Sequence, residues 1–342
     1  MSEPLPTSPT PAPTPGQAPA PAPVDFPRAA ALAAQIRQEI SRAVVGQSAV
    51  VDLVLTAFLA GGHVLIEGVP GLGKTLLVRA VARTFNGRFT RIQFTPDLMP
   101  TDVTGNAVFD AKSGEFRLRK GPAFTHLLLA DEINRAPAKT QAALLEVMQE
   151  RQISIEGQSV AVPRPFMTLA TQNPIEHDGT YPLPEAQLDR FLLKVSIDYP
   201  APAEEVELVR AVTQNRIGGD LDVSAVRPLA APEHVVWLQE IAARVLVDDR
   251  ILDYAVRIVR ATRTWKGLRV GAGPRGAIAL VRAARAKALL AGRDHVLPDD
   301  VKSVSLPALG HRVILSPELE IEGQRAEQVI PAILEKVEAP RT

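Results

Sequence analysis

The stretch GVPGLGKT, residues 68–75, follows the short apolar run HVLIE (63–67) and runs into TLLVRAVART (75–84), whose apolar residues recur with helical spacing. It fits the pattern G-x-x-x-x-G-K-[ST], in the order strand, glycine-rich turn, helix. In that order the backbone N–H groups of the turn and of the first helical turn converge on one point, a ready site for phosphate oxygens. Gly68, Gly71 and Gly73 let the chain wrap closely. Pro70 and Leu72 complete the loop, and Leu76 lies in the first helical turn. Lys74 is spaced to reach the outer phosphates of a nucleoside triphosphate, and the Thr75 hydroxyl to ligate Mg2+.

Working outward, four more apolar runs alternate with mostly helical stretches: FTRIQF (89–94), HLLLADE (126–132), FMTLATQ (166–172) and FLLKVSI (191–197). Short buried runs separated by helices predict a parallel sheet covered on both faces. HLLLADE ends in two acids. A buried strand ending this way puts Asp131 beside the phosphate loop, where it would bind Mg2+, and leaves Glu132 to orient or deprotonate an attacking water. Asn173, in LATQNP, falls just past another buried strand, within reach of that water or of the γ-phosphate.

Two stretches interrupt the alternation. Residues 103–118 read as a hairpin around DAKSGE, and residues 152–162 as a second around Glu156-Gly157. Residues 1–26 hold nine of the 30 prolines and almost no large apolar side chain, so a disordered Pro/Ala-rich tail is expected. From about residue 231 the chain reads as helices (232–246, 249–265, 274–291, 298–309). The expected domains are therefore the tail, a core over 27–215 and a helical unit over 216–338.

Composition narrows the function. The 342 residues are 46% hydrophobic and 22% charged, with a formal net charge of zero, which gives no general pull toward nucleic acid or anionic membranes. There is no cysteine, so thiol catalysis, disulfides and cysteine-ligated metals are excluded, and the six histidines show no metal-ligand spacing. The sequence shows no membrane span and no signal-peptide pattern, so a cytoplasmic location is expected.

With GVPGLGKT, LLLADEINRAPAKTQAALLEVMQERQ, LATQNPIEHDGTYPLPEAQLDRF and GAGPRGAIAL in view, the chain resembles the MoxR family of AAA+ ATPases from about residue 30 onward. The resemblance implies a five-stranded parallel α/β P-loop core with hairpin inserts and a small all-α lid. It implies that Val45 and Gly46, in VVGQ, line the adenine of ATP. It makes Asn173 the sensor 1 residue, Arg190 the arginine finger and Arg275 the sensor 2 residue. It also implies a homo-oligomer, a hexameric ring, working as a chaperone-like ATPase on a protein client. A partner carrying a von Willebrand factor A-type domain comes with it.

The residues alone leave Arg190 open. It either pairs locally with Glu185 or Asp189, or reaches a charge outside the chain. Two other functions compete. Residues 250–293 carry eleven Lys/Arg and one acid, Asp253, which fits a nucleic-acid motor, but no aromatic platform accompanies them. A non-hydrolysing ATP switch is opposed by the intact set Lys74, Thr75, Asp131 and Glu132.

Overall fold

A computed structural model describes residues 25–69, 71–112, 114–173, 180–213 and 223–341. Most of the expected tail lies outside these residues. Its last two, Asp25 and Phe26, belong to a helix: the Asp25 carboxylate accepts the Arg28 N–H at 3.2 Å and caps α1 (Phe26–Ser41). Next come α2 (Ser48–Leu59), β1 (Val64–Glu67), α3 (Lys74–Thr84), β2 (Phe89–Gln93), β3 (Leu127–Asp131), α4 (Ala138–Glu150), β4 (Met167–Gln172), β5 (Leu193–Ser196) and α5 (Pro202–Thr213). These five strands form one parallel sheet in the order β2-β3-β4-β1-β5.

Side chains alternate across this sheet, as strand geometry requires. Val64, Ile66, Leu127 and Leu129 point into the core beneath α1, α2 and α3. Leu65, Leu128 and Ala130 point into a second core with Leu144, Leu145 and Met148 of α4. Each leucine of this kind, fully removed from water, stabilises the fold by about 1.5–3 kcal/mol. A parallel sheet sends every strand's carboxyl end to one edge. Gly68, Glu132 and Asn173 therefore emerge side by side, at the customary ligand position of such sheets.

Both inserts are antiparallel hairpins. The second pairs Gln152–Ile155 with Gln158–Ala161, within the expected span. The first pairs Gly105–Asp110 with Glu115–Lys120, two residues later than expected, because Pro100–Thr104 form a short helix that buries Val103. Its second strand is exposed at every residue, so the hairpin stands off the body.

Beyond residue 223 lie α6 (Pro232–Ala243), α7 (Asp249–Thr264), α8 (Pro274–Leu290), α9 (Pro298–Leu309) and α10 (Ala326–Lys336). The lid is helical apart from one two-stranded ribbon, Leu268–Val270 with Ile314–Leu315, too short to carry a periodic signal. Lid and core share one buried cluster. Specific contacts lock them together: Arg227 pairs with Glu39 at 2.8 Å, and His311 Nε2 meets the Phe191 carbonyl at 3.1 Å. Among the described residues no helix is long and apolar enough to cross a membrane.

Candidate nucleotide site

The phosphate loop joins β1 to α3. Gly71 and Gly73 take the left-handed backbone, φ 87° and 72°, and nothing lies within 4 Å of a Cβ built on either. Glycine is needed there for conformation, and the open side leaves room for a ligand. Gly68 is needed for space, because a Cβ would fall 2.6 Å from the Ile197 carbonyl oxygen. Lys74 Nζ donates to the Gly68 carbonyl at 2.5 Å, folding the ammonium back over the loop. Burial pushes the Lys74 ammonium below the ordinary lysine value, and the Asp131 and Glu132 carboxylates pull the other way. Thr75 and Leu76 follow in the first turn of α3, with Leu76 buried. Pro70 lies outside the described residues.

At the carboxyl end of β3 the two acids share one hydroxyl. Thr171 Oγ1 donates to Asp131 Oδ1 at 2.6 Å and accepts the Glu132 N–H at 2.8 Å. Glu132 takes a left-handed conformation, φ 54° and ψ 51°, unusual for a residue with a side chain. Its carboxylate is held by Gln93 Nε2 at 2.8 Å and Arg135 Nε at 2.9 Å, both on Oε2. Arg91 Nη2 sits 2.6 Å from Asp131 Oδ2. Sequence reading missed Arg91, Gln93, Arg135 and Thr171. For Arg91 and Gln93 a signal existed: they alternate at the end of FTRIQF, so they share one face beside the acids.

One hydroxyl and one carboxylate, rather than a cage of acids, is a donor set that suits Mg2+, which keeps several waters and takes its other ligands from phosphates. Among the described residues no cluster of three or more His, Asp or Glu forms a self-contained metal cage. Asp131 Oδ2 already accepts a cationic partner, so the site tolerates positive charge there.

Beside the loop lies a cavity of about 210 Å3 whose walls include Val44, Val45, Leu72, Leu76, Tyr199 and Leu208. This largely apolar lining suits a purine ring. Gly46, φ 74°, turns the chain where a Cβ would meet the Glu204 side chain at 2.8 Å. Gln47 Nε2 donates to the Leu72 carbonyl at 3.0 Å, tying VVGQ to the phosphate loop. Gln47 belongs to the expected VVGQ segment, whereas Tyr199 and Leu208 were not legible beforehand, since the segment leading into α5 and α5 itself meet the loop only in three dimensions.

The remaining candidates divide. Asn173 is buried directly after β4, adjacent to β3 and its acids. Arg190 and Arg275 line a different cavity, of about 400 Å3, between the core and α8. The local reading of Arg190 fails. Asp189 is taken by Arg312 Nε at 2.8 Å and by Arg275 Nη1 at 3.4 Å. Among the described residues Arg190 has no carboxylate partner, Glu185 included. Much of the basic run over 250–293 is engaged internally: Arg257 with Asp253, Arg293 with Asp300, Arg263 with the Ala272 carbonyl and Arg282 with the Ala60 carbonyl. That leaves little continuous basic surface for nucleic acid.

Residues 63–193 match the ATPase family associated with various cellular activities (AAA), and residues 260–333 match the AAA lid domain. The chain is 45% identical over 303 residues to the YeaC protein of Bacillus subtilis, covering 89% of this chain and 93% of that protein. It is 45% identical over 312 residues to Chaperone MoxR1 of Mycobacterium tuberculosis, covering 89% of this chain and 81% of the relative. The crystal structure of a presumed ATPase from Cytophaga hutchinsonii superposes with a TM-score of 0.85 at 39% identity, covering 92% of this chain and 97% of that one.

Proposed function

The chain belongs to the MoxR family of AAA+ ATPases, and from that premise we propose that it hydrolyses ATP with Mg2+ as one subunit of a ring, driving a chaperone-like change in a protein client. The observation that carries this reading is the arrangement at the carboxyl ends of the parallel strands, where Lys74 opens α3 after β1 and Asp131, with Glu132 next to it, ends β3. In the proposed roles, Val45 and Gly46 border the adenine. Gly68, Pro70, Gly71, Leu72, Gly73 and Leu76 shape the loop around the phosphates. Lys74 balances charge on the β- and γ-phosphates, and Thr75 and Asp131 hold Mg2+. The metal would supply charge neutralisation on the phosphate oxygens. Glu132 takes the proton of the attacking water, and Asn173 holds that water in line.

Arg190 supplies the remaining cation. Charge building on the transferred phosphoryl group calls for a rigid, permanently charged donor. An arginine without a carboxylate among the described residues, in a cavity apart from its own phosphate loop, supports action on a neighbouring subunit. Arg275 lines the same cavity, which supports the same direction of action for it. The family resemblance adds a hexameric ring, a cytoplasmic location and a partner with a von Willebrand factor A-type domain, in maturation of protein complexes.

Steady-state hydrolysis of Mg-ATP tests the proposal. The parent chain should turn over ATP. Lys74→Ala should lose most ATP binding, and Glu132→Gln should bind ATP but hydrolyse it slower by about two orders of magnitude or more. Parental turnover by Glu132→Gln would remove Glu132 from the mechanism.

A further inference from the structure

Among the described residues the two strands of the first hairpin, Gly105–Asp110 and Glu115–Lys120, pair only with each other. Gly105–Asp110 lies beside the strand Gln152–Ile155 of the second hairpin, whereas Glu115–Lys120 is exposed at every residue. The Gly121 N–H donates to the Thr104 carbonyl at 3.3 Å, and hydrogen-bonded pairs alternate along an antiparallel ladder. The bonded pairs are therefore Asn106 with Arg119, Val108 with Arg117 and Asp110 with Glu115. The backbone N–H and C=O groups of Phe116, Leu118 and Lys120 then face outward, toward the open edge.

Opposed residues share a face, so the hairpin has two. One carries Ala107 opposite Leu118 and Phe109 opposite Phe116, with Leu118 and both phenylalanines exposed and the two rings edge to face. The other carries Arg119 opposite Asn106 and Arg117 opposite Val108, with the Arg117 guanidinium reaching Asp110 at 3.1 Å. Arg119 has no ion-pair partner among the described residues. Edges protected against unwanted pairing are blunted by short length, charge, proline or a bulge. This strand runs six residues in unbroken register, without proline, and its charge lies mostly on one face while large apolar side chains stand in water on the other.

Resting on the protein client of the proposed function, we propose that this edge takes up an extended client segment as a further strand, and that the segment alternates apolar with acidic residues. The outward groups of Phe116, Leu118 and Lys120 supply the backbone ladder. Strand alternation places every second side chain of the segment beside Phe116 and Leu118, where apolar groups leave water. The side chains between them lie beside Arg117 and Arg119, where carboxylates are favoured. Charge points the same way, since the hairpin carries Lys112, Arg117, Arg119 and Lys120 against Asp110 and Glu115. A basic and apolar surface also attracts an anionic membrane, but outward backbone donors and acceptors in register call for another backbone.

The test is fluorescence polarisation of a labelled peptide of about ten residues, valine alternating with glutamate, titrated with the full-length chain in the absence of nucleotide. The parent should bind it. Leu118→Pro removes one outward N–H while sparing the ladder inside the hairpin, and should weaken binding about tenfold or more. Phe116→Ser should do the same through lost apolar contact. Arg119→Glu should weaken binding of the glutamate peptide and strengthen that of a valine-lysine peptide. Urea midpoints of all three variants should stay at the parental value, because the strand they alter is exposed throughout. A second measurement leaves the protein untouched: the same peptide N-methylated at every residue keeps its side chains, loses its backbone donors, and should not bind. No binding by the parent at millimolar peptide, parental affinity in all three variants, or equal binding of the N-methylated peptide overturns the proposal. Binding to vesicles of anionic lipid with none to the peptide assigns this face to a membrane and overturns it as well. Without nucleotide the titration is independent of turnover, so lost peptide binding beside intact ATPase removes the strand docking and leaves the proposed function standing.

Discussion

Replacing Thr171 by valine removes one buried hydroxyl and almost no volume. Thr171 is 1% exposed, and its Oγ1 serves Asp131 and the Glu132 backbone at once. The hydrogen bond to a carboxylate contributes about 1.5–3 kcal/mol, and a stranded Glu132 N–H costs about 1–3 kcal/mol. Because one atom makes both contacts, the sum is not reached, and about 3 kcal/mol is the reasonable figure. Glu132 already holds a strained backbone, φ 54°, so losing its N–H partner lets it relax away from the position proposed for water activation. If that energy appears in the barrier, kcat falls by about two orders of magnitude. If it appears in the fold, the urea midpoint falls by about 1 M or more. Steady-state ATPase, fluorescent-nucleotide binding and urea unfolding on one preparation separate the two. Thr171→Ser, which keeps the hydroxyl, should recover most of the loss. A Thr171→Val chain with parental kcat and parental urea midpoint would refute the role given to this hydroxyl.

Other consequences follow from the same geometry. Phe109 and Phe116 sit at 55% and 74% exposure near the tip of the first hairpin, rings 5.4 Å apart, so replacing 107–116 by a Gly-Ser turn should keep basal ATPase within about twofold and abolish stimulation by a client or partner. Stimulation that survives this replacement would count against the hairpin as a client contact. Arg275→Ala should lower turnover about tenfold or more, and unchanged turnover and nucleotide affinity would remove its sensor role. Burial lowers His63 to about 4, while its Nδ1 accepts the Thr168 N–H and its Nε2 meets the Met148 carbonyl. The unfolded chain therefore binds the extra proton first, so this contribution is whole above the unfolded value of about 6.5 and is lost as pH falls toward about 4, by up to about 3 kcal/mol. Urea midpoints from pH 7.5 to 4.5 should fall more steeply for the parent than for His63→Gln, and parallel curves would contradict the assignment.

The five core strands were legible because each is a short apolar run bounded by turn residues, and the structure moves their ends by only one or two residues. The glycine-rich loop between β1 and α3 was legible because its strand, turn and helix form a local pattern. What escaped depends on residues far apart in sequence. Among the described residues Arg190 has no carboxylate partner, and Arg312, 123 residues from Asp189, occupies the nearest one in sequence. Thr171 meets Asp131 across 40 residues, and Arg91 meets Asp131 across the same interval from the other side. Strand periodicity can show which face a side chain takes, but not which neighbour has already claimed its partner.

The central claim is that one chain completes the active site of the next. Lys74→Ala removes a chain's own ATP site but leaves its Arg190 intact, and Arg190→Ala does the reverse. Each variant alone should show little turnover, with Arg190→Ala still binding ATP. The decisive measurement is the ATPase of the two variants co-assembled across a range of ratios. The account predicts partial recovery, greatest at intermediate ratios and lost on dilution below the assembly concentration. If mixed assemblies demonstrably form and no ratio restores turnover, Arg190 does not act across the subunit boundary.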